Sequence, residues 1–426
     1  MNKTKSFQIS KQLVCEAWKR VRANQGAAGV DGQTIEEFEK DLKRNLYRLW
    51  NRMSSGAYFP PPVRAVAIPK DNGGTRVLGI PTVADRVAQM VVKMILEPKL
   101  DPLFHEDSYG YRPAKSAHQA LAKARVRCWQ KSWVIDLDIK GFFDHLDHER
   151  LMKALSHHTQ EKWILLYTER WLKAPMQDEK GGLHPRDQGS PQGGVISPLL
   201  ANLFLHYAFD QWMRREHPAI SFERYADDIV AHCATEVEAK RVLESIRGRL
   251  LECKLELSPE KTQIVYCKDS NRSGKHEKIT FDFLGFTFRP RLSVNKRGEF
   301  FVSFIPAMST KAATKIRQKI RSWELPRRTD KQLGDLARMF NAQVRGWINY
   351  YGRFYKSAMY DLFHSLDQLL IRWARYKYKR FYQRPNAARR WLKRIMTGNP
   401  DLFAHWRLMK WLNEGSRMNR EVHVRF

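Results

Sequence analysis

Two adjacent carboxylates, Asp227 and Asp228, stand at the centre of residues 222–232, where Tyr225-Ala226-Asp227-Asp228 is flanked by apolar residues. That pattern predicts two short strands joined by a tight turn. Neighbouring acids repel each other, and an ordinary solvated turn accounts for a lone Asp-Asp pair equally well. A rigid hairpin, however, aims the pair at whatever lies opposite, and a hard cation such as Mg²⁺ relieves the repulsion through carboxylate oxygens. A second source of acids lies upstream, in residues 133–144. There Asp136 and Asp138 alternate with aliphatics and project from one side of a strand by the two-residue period. An acid at the end of a core strand is costly unless it is paired or holds a metal. Should this strand neighbour the hairpin, three carboxylates converge, enough for two metals about 4 Å apart and in-line phosphoryl transfer.

Three further stretches carry groups suited to phosphates and bases. Residues 63–81 read as strand, Asn-Gly-type turn, strand, with Lys70 before the turn and Arg76 after it. Such cations are commonly just solvated, but two on one hairpin can grip a triphosphate, Arg as a fork and Lys as a point charge. Residues 189–198 bring Gln192 beside Gly193 and Gly194, and glycine pairs let the backbone approach a ligand closely. Residues 107–118 alternate aromatic and basic side chains around Arg112, which suits base stacking and phosphate contact. Core aromatics beside a surface arginine would look the same.

The elements that must position these groups follow from periodicity. Residues 8–55 and 85–96 read as helices, and 151–172 as one more. An apolar helix begins at Leu199, and an amphipathic one covers 236–252. Phe283, Phe286 and Phe288 are assigned to the core. From Met308 onward the period is helical, with basic helices and an aromatic–cation run at 371–380.

Asp138-Ile139-Lys140-Gly141-Phe142-Phe143-Asp144, Gly189-Ser190-Pro191-Gln192-Gly193-Gly194-Val195-Ile196-Ser197-Pro198 and Tyr225-Ala226-Asp227-Asp228 occur in this order. Together they resemble the palm of reverse transcriptases, specifically the reverse transcriptase/maturase proteins encoded by bacterial group II introns. Residues 341–351 resemble the signature of that family's maturase-specific thumb. The resemblance covers roughly residues 15–410. It implies an α+β right-hand polymerase followed by an all-α thumb: an N-terminal extension at 1–58, fingers and palm at 59–290, thumb/maturase domain at 300–385 and a basic tail at 386–426. It also implies that Asp138, Asp227, Asp228 and the Ile139 carbonyl hold two Mg²⁺ ions. Lys70 and Arg76 would fold onto the incoming dNTP, Phe143 would gate the 2′ position, Gln192 would face sugar and base, and Lys261 would approach the phosphates. The glycine-rich stretch 24–32 would help cover the template. Arg112, Arg345, Arg372, Arg375, Lys377 and Lys379 are the candidate RNA contacts. Many relatives continue into a Cys- and His-bearing HNH nuclease; no such cluster occurs here, and its absence is the expectation.

Charge agrees with a polyanionic partner. The chain of 426 residues carries a formal +30, of which +19 falls in residues 301–426, with 27 Lys and Arg against 8 Asp and Glu. A hydrophobic fraction of 43% supports a real core and 12% aromatics argue against disorder. Five scattered cysteines without any Cys-x-x-Cys fit a reducing cytosol and no zinc site. No run approaches a membrane span, so a cytoplasmic protein is expected. The partners implied are intron RNA, an RNA template with a DNA or RNA primer, and target DNA. Two alternatives share these residues: an RNA-binding maturase with little polymerase activity, and a domesticated relative in DNA repair or phage defence.

Overall fold

The computed structural model describes residues 6–69, 73–295 and 297–409. The architecture is α+β, and the chain divides into two compact units, residues 1–120 with 135–264 and residues 121–134 with 265–426. This division is not linear in sequence: residues 121–134 and 265–290 both fall in the unit that holds the C-terminal helices.

The first unit opens with α1 (Lys11–Asn24), α2 (Ile35–Lys40) and α3 (Leu42–Ser54). Thr34 caps α2 by accepting from the Glu37 N–H while the Glu37 carboxylate accepts from the Thr34 N–H, a reciprocal capping box. Val14, Ala17, Trp18 and Val21 form the buried stripe of α1 at helical spacing. β1 (Val63–Pro69) and β2 (Thr75–Ile80) make the antiparallel hairpin, and α4 (Val83–Leu100) follows. Lys70, at the hairpin's end, lies outside the described residues. Next come α5 (Ala117–Gln130), which is mostly part of the second unit, and β3 (Trp133–Asp138).

The helix expected over 151–172 is two, α6 (His148–His158) and α7 (Lys162–Lys173), because Thr159 is extended at φ −146°, ψ 136°. A short hairpin of β4 (Met176–Gln177) and β5 (Leu183–His184) then extends the first sheet to the order β2-β1-β4-β5. α8 (Ser197–Leu205) runs through a π-helical turn, His206–Asp210, into α9 (Gln211–Glu216). β6 (Ser221–Tyr225) and β7 (Asp228–Cys233) form the acidic hairpin, followed by α10 (Glu236–Glu252) and β8 (Gln263–Tyr266). These strands join β3 in the order β6-β7-β3-β8, so the strand ending in Asp138 lies next to the hairpin.

In the second unit β9 (Phe281–Phe283), β10 (Phe286–Val294) and β11 (Phe300–Met308) form an antiparallel sheet in the order β11-β10-β9. Phe283, Phe286 and Phe288 are fully buried, as expected, and Phe281 stacks on Phe288 at 4.7 Å. The long β10–β11 hairpin is absent from the sequence-based elements. Both strands depart from clean alternation on their outer halves, where Leu292, Val294, Phe300 and Phe301 are exposed. The helices are α11 (Thr310–Arg321), α12 (Leu333–Tyr351), α13 (Tyr360–Lys377) and α14 (Pro385–Gly398), packed around one apolar cluster that includes Phe340, Leu366, Trp373 and Trp406. Among the described residues all five cysteines are free thiols, and no helix is long and apolar enough to cross a membrane.

Candidate active site

The acidic hairpin is tight: Tyr225 pairs with Asp228, leaving Ala226 and Asp227 as the two turn residues. Ala226 is left-handed at φ 59°, a conformation that costs a non-glycine residue about 1–2 kcal/mol. Surrounding structure holds it there. Arg224 Nη1 donates to the Ala226 carbonyl at 3.2 Å and to Asn202 Oδ1 at 2.9 Å. The rest of the Arg224 guanidinium forks onto Asp210, presented by the π-helical turn. Residues 107–109 run alongside β6, with Arg224 N–H donating to Asp107 O and Tyr109 N–H to Arg224 O. Gly110 then meets the turn so closely that a Cβ there would stand 2.4 Å from the Ala226 nitrogen.

Asp227 is half-buried. Desolvation, reinforced by the neighbouring Asp138 charge, pushes its carboxyl above the usual carboxylate range against the pull of Arg76 and Lys261. Asp138 is bonded through both oxygens to Lys261 Nζ, at 3.1 and 3.0 Å, while Asp136 accepts from Gln263 at 3.0 Å. Ile139 faces Leu257 in a pair flanked by the bonds Lys140 N–H to Glu256 O and Ser258 N–H to Asp138 O. In such a non-hydrogen-bonded pair the Ile139 carbonyl points away from that neighbour. Among the described residues no three His, Cys, Asp or Glu side chains stand assembled as a metal site. The expected three-carboxylate cluster is therefore not closed here. Asp138 and Asp227 sense each other, and an ammonium group sits on Asp138 where the reasoning from sequence put a metal.

The other motifs interlock around this pair. Ser190 N–H donates to Phe143 O at 2.7 Å, and a Cβ on Gly189 (φ 82°) would stand 2.8 Å from Asp144 O. Phe142 and Phe143 are both buried, and Phe142 packs edge-on against Phe204 of α8. Gly79 N–H donates to Gln192 O at 2.9 Å, and the Gln192 side-chain oxygen accepts from Arg76 Nε. Arg76 and Gln192 are thus brought together, and the Arg76 charge acts on Asp227. The loop 24–32 is tied down by Arg86, whose Nη1 and Nη2 donate to the Gln25 and Ala27 carbonyls at 3.2 and 2.7 Å. It lines a cavity of about 280 Å³ with Leu78, Gly79 and Gly193.

Some expected contacts find other work. Arg112, a candidate RNA contact, is bonded within the protein. Its side chain is 6% exposed and donates to Asp101 Oδ1 and to the carbonyls of Asp101, His105 and Ser108. In the second unit, Arg345, Arg372 and Lys379 are exposed, whereas Arg375 donates to Tyr382 O and Lys377 to Thr329 O. Trp373 is fully buried with its N–H on Arg328 O, so it stacks on no base, while Tyr376 is exposed.

One residue escaped sequence reasoning altogether. Asp85 on α4 is buried and accepts from Tyr58 Oη, Trp171 Nε1 and Gln89 Nε2 at 2.7, 2.7 and 3.0 Å. Gln89 Oε1 in turn accepts from Ile196 N–H, inside the Gln192 motif. Burial lifts the Asp85 carboxyl to about 6. Its only signal in the sequence was an acid placed among apolar helix positions.

Comparisons with known proteins identify the family. The family model described as reverse transcriptase (RNA-dependent DNA polymerase) matches residues 68–288, and that described as group II intron, maturase-specific domain matches residues 313–391. Protein YkfC of Escherichia coli is 32% identical over 298 residues, covering 61% of this chain and 78% of that protein. The group II intron-encoded protein LtrA of Lactococcus lactis is 34% identical over 193 residues, 45% of this chain but 32% of LtrA. Among solved structures, telomerase from Candida albicans aligns at 13% identity over 89% of this chain and 69% of that one, with a TM-score of 0.47.

Proposed function

Because the chain belongs to the reverse transcriptase family and carries the group II intron maturase-specific domain, it is an RNA-directed DNA polymerase, and we propose how its residues divide that work. Members of this family use divalent metal ions. The donor chemistry here fits such an ion: desolvation, with the Asp138 charge added to it, disfavours ionised Asp227, and a hard cation would reverse both effects. Asp138, Asp227, Asp228 and the Ile139 carbonyl would hold Mg²⁺, in two sites, once Lys261 leaves Asp138. When bound, the metal supplies charge neutralisation at the primer 3′ oxygen and the leaving pyrophosphate. Lys261 is then released toward the nucleotide phosphates. Arg76 and Gln192, already in contact, clasp the dNTP from the hairpin and the glycine loop. Phe143 closes off the 2′ side of the sugar.

The substrates are an RNA template with a DNA or RNA primer, and the maturase-specific unit binds intron RNA to assist splicing and mobility at a DNA target, in the cytoplasm. The observation that supports the catalytic assignment most directly is the sheet order, which sets the strand ending in Asp138 beside the hairpin that bears Asp227 and Asp228. The test is primer extension by purified Asp227→Asn protein. Loss of Mg²⁺-dependent cDNA synthesis with RNA affinity retained is expected; extension at the wild-type rate would overturn the assignment.

A further inference from the structure

α11 and α13 enclose a groove made of two cavities, of about 540 and 260 Å³, that share Arg317 as their common wall. The larger is walled by Arg289 and Arg291 of β10, the smaller by Arg321 of α11 and Arg372 of α13. Arg317 and Arg321 lie one turn apart on one helical stripe, about 6 Å along the axis. Five arginines therefore line the two adjoining cavities, with Arg291 Nη2 donating to Thr287 O at 3.2 Å. The guanidinium groups of Arg289, Arg317, Arg321 and Arg372 make no hydrogen bond or ion pair among the described residues. Arg291 is half-buried, held over the Tyr355 ring at 5.3 Å, and its Nε is buried without a partner. Asp361, in the larger cavity, is the one acid lining the groove.

Like charges gathered in a cleft that holds a single acid destabilise the fold unless a further anion joins them. Guanidinium forks match phosphate oxygens, and the hydroxyls of Thr310 and Ser357 add neutral donors in the larger cavity. Thr310 also opens α11, whose N-terminal end is positive. A lone phosphate would occupy one cavity, whereas two cavities with an arginine between them fit a chain of phosphates. We propose that this groove is a track for a single nucleic-acid strand, seating consecutive backbone phosphates at Arg289/Arg291, at Arg317 and at Arg321/Arg372. The inference rests on the reading that the C-terminal unit handles nucleic acid, and it names where the strand runs.

The test measures affinity against salt for a labelled single-stranded homopolymer, DNA in one arm and RNA in the other. The full-length triple variant Arg289→Gln/Arg317→Gln/Arg321→Gln should lower the log–log slope by about 2, roughly 0.7 for each lost phosphate contact. Loss in both arms assigns the track to the shared phosphates; loss in the RNA arm alone assigns it to RNA. The corresponding lysine triple, which keeps the charges and reports on folding, should retain the wild-type slope. An unchanged slope in the glutamine variant would overturn the track. So would an equal loss in a Lys153→Gln/Lys162→Gln/Arg214→Gln control, since those exposed cations lie in the other unit. Primer extension on a pre-annealed duplex at saturating protein keeps the two readings apart. Extension with an unchanged slope sinks the track alone, and a lowered slope without extension by the wild type sinks the polymerase assignment alone.

Discussion

Arg224 and Asp210 are both fully buried and meet as fork on carboxylate, Nε to Oδ1 at 2.7 Å and Nη2 to Oδ2 at 2.6 Å. The same guanidinium reaches the Ala226 carbonyl, so one buried ion pair fixes the turn that presents Asp227. Arg224→Met leaves Asp210 buried and unpaired, a loss of about 3–5 kcal/mol that thermal denaturation should read. Arg224→Lys keeps the charge without the fork. We predict a lowered kcat for primer extension with RNA affinity unchanged. A folded lysine variant with wild-type kcat would show that the turn holds itself.

Gly110 offers the sharpest steric test of the same turn. A methyl group there meets backbone rather than a flexible side chain, so the Asp227 turn must shift. Gly110→Ala should cut kcat strongly, with little effect on RNA binding by the separate C-terminal unit. Single-turnover extension beside a filter-binding assay separates the two.

Asp85 gives a pH prediction. Its folded carboxyl lies at about 6 against 3.8 in the unfolded chain, because burial penalises the ionised form. An acid whose folded value is raised contributes most below the unfolded value and loses that contribution as pH rises through the folded one. The wild type should therefore lose up to ~3 kcal/mol from this group between about pH 4 and 6. Asp85→Asn should flatten that part of the stability curve, measured by urea unfolding at several pH values. It also sets an amide against Gln89 Nε2, so the Ile196 link to the Gln192 loop should weaken and KM for the nucleotide should rise.

Phe143 and Phe142 test the register of the motif. Phe142 packs against Phe204 in the core, so Phe142→Ala should mainly lower stability, by roughly 3–5 kcal/mol. Phe143→Ala or Phe143→Val should instead raise ribonucleotide incorporation, scored as alkali-sensitive product. Ribonucleotide incorporation raised only by Phe142→Ala would place the gate one residue earlier.

In the basic run, geometry ranks the cations. Arg372 and Lys379 are exposed, whereas Arg375 and Lys377 are spent on carbonyls of the same unit. Arg372→Gln/Lys379→Gln should lower the salt slope for RNA by roughly 1.4–1.8, the value for two phosphates. Arg375→Gln/Lys377→Gln should act mostly on stability. The reverse ranking would mean that RNA binding rearranges the Tyr382 and Thr329 contacts.

The sequence alone determined the elements and chemistry that are local. Alternation around Asp138, the compact turn at Ala226-Asp227 and the helical period after Met308 each depend on a few neighbouring residues, and each reappears in the structure. The order of three motifs was enough to identify the family. Tertiary structure alone decided which acidic segments become neighbours, since pairing of β3 with β7 joins residues 90 or more positions apart and no local pattern encodes it. It also bonded Arg112 to Asp101, buried Trp373 and set Lys261 on Asp138. Arginine and tryptophan look alike in sequence whether their polar atoms face solvent or a carbonyl, and only the fold supplies the carbonyl.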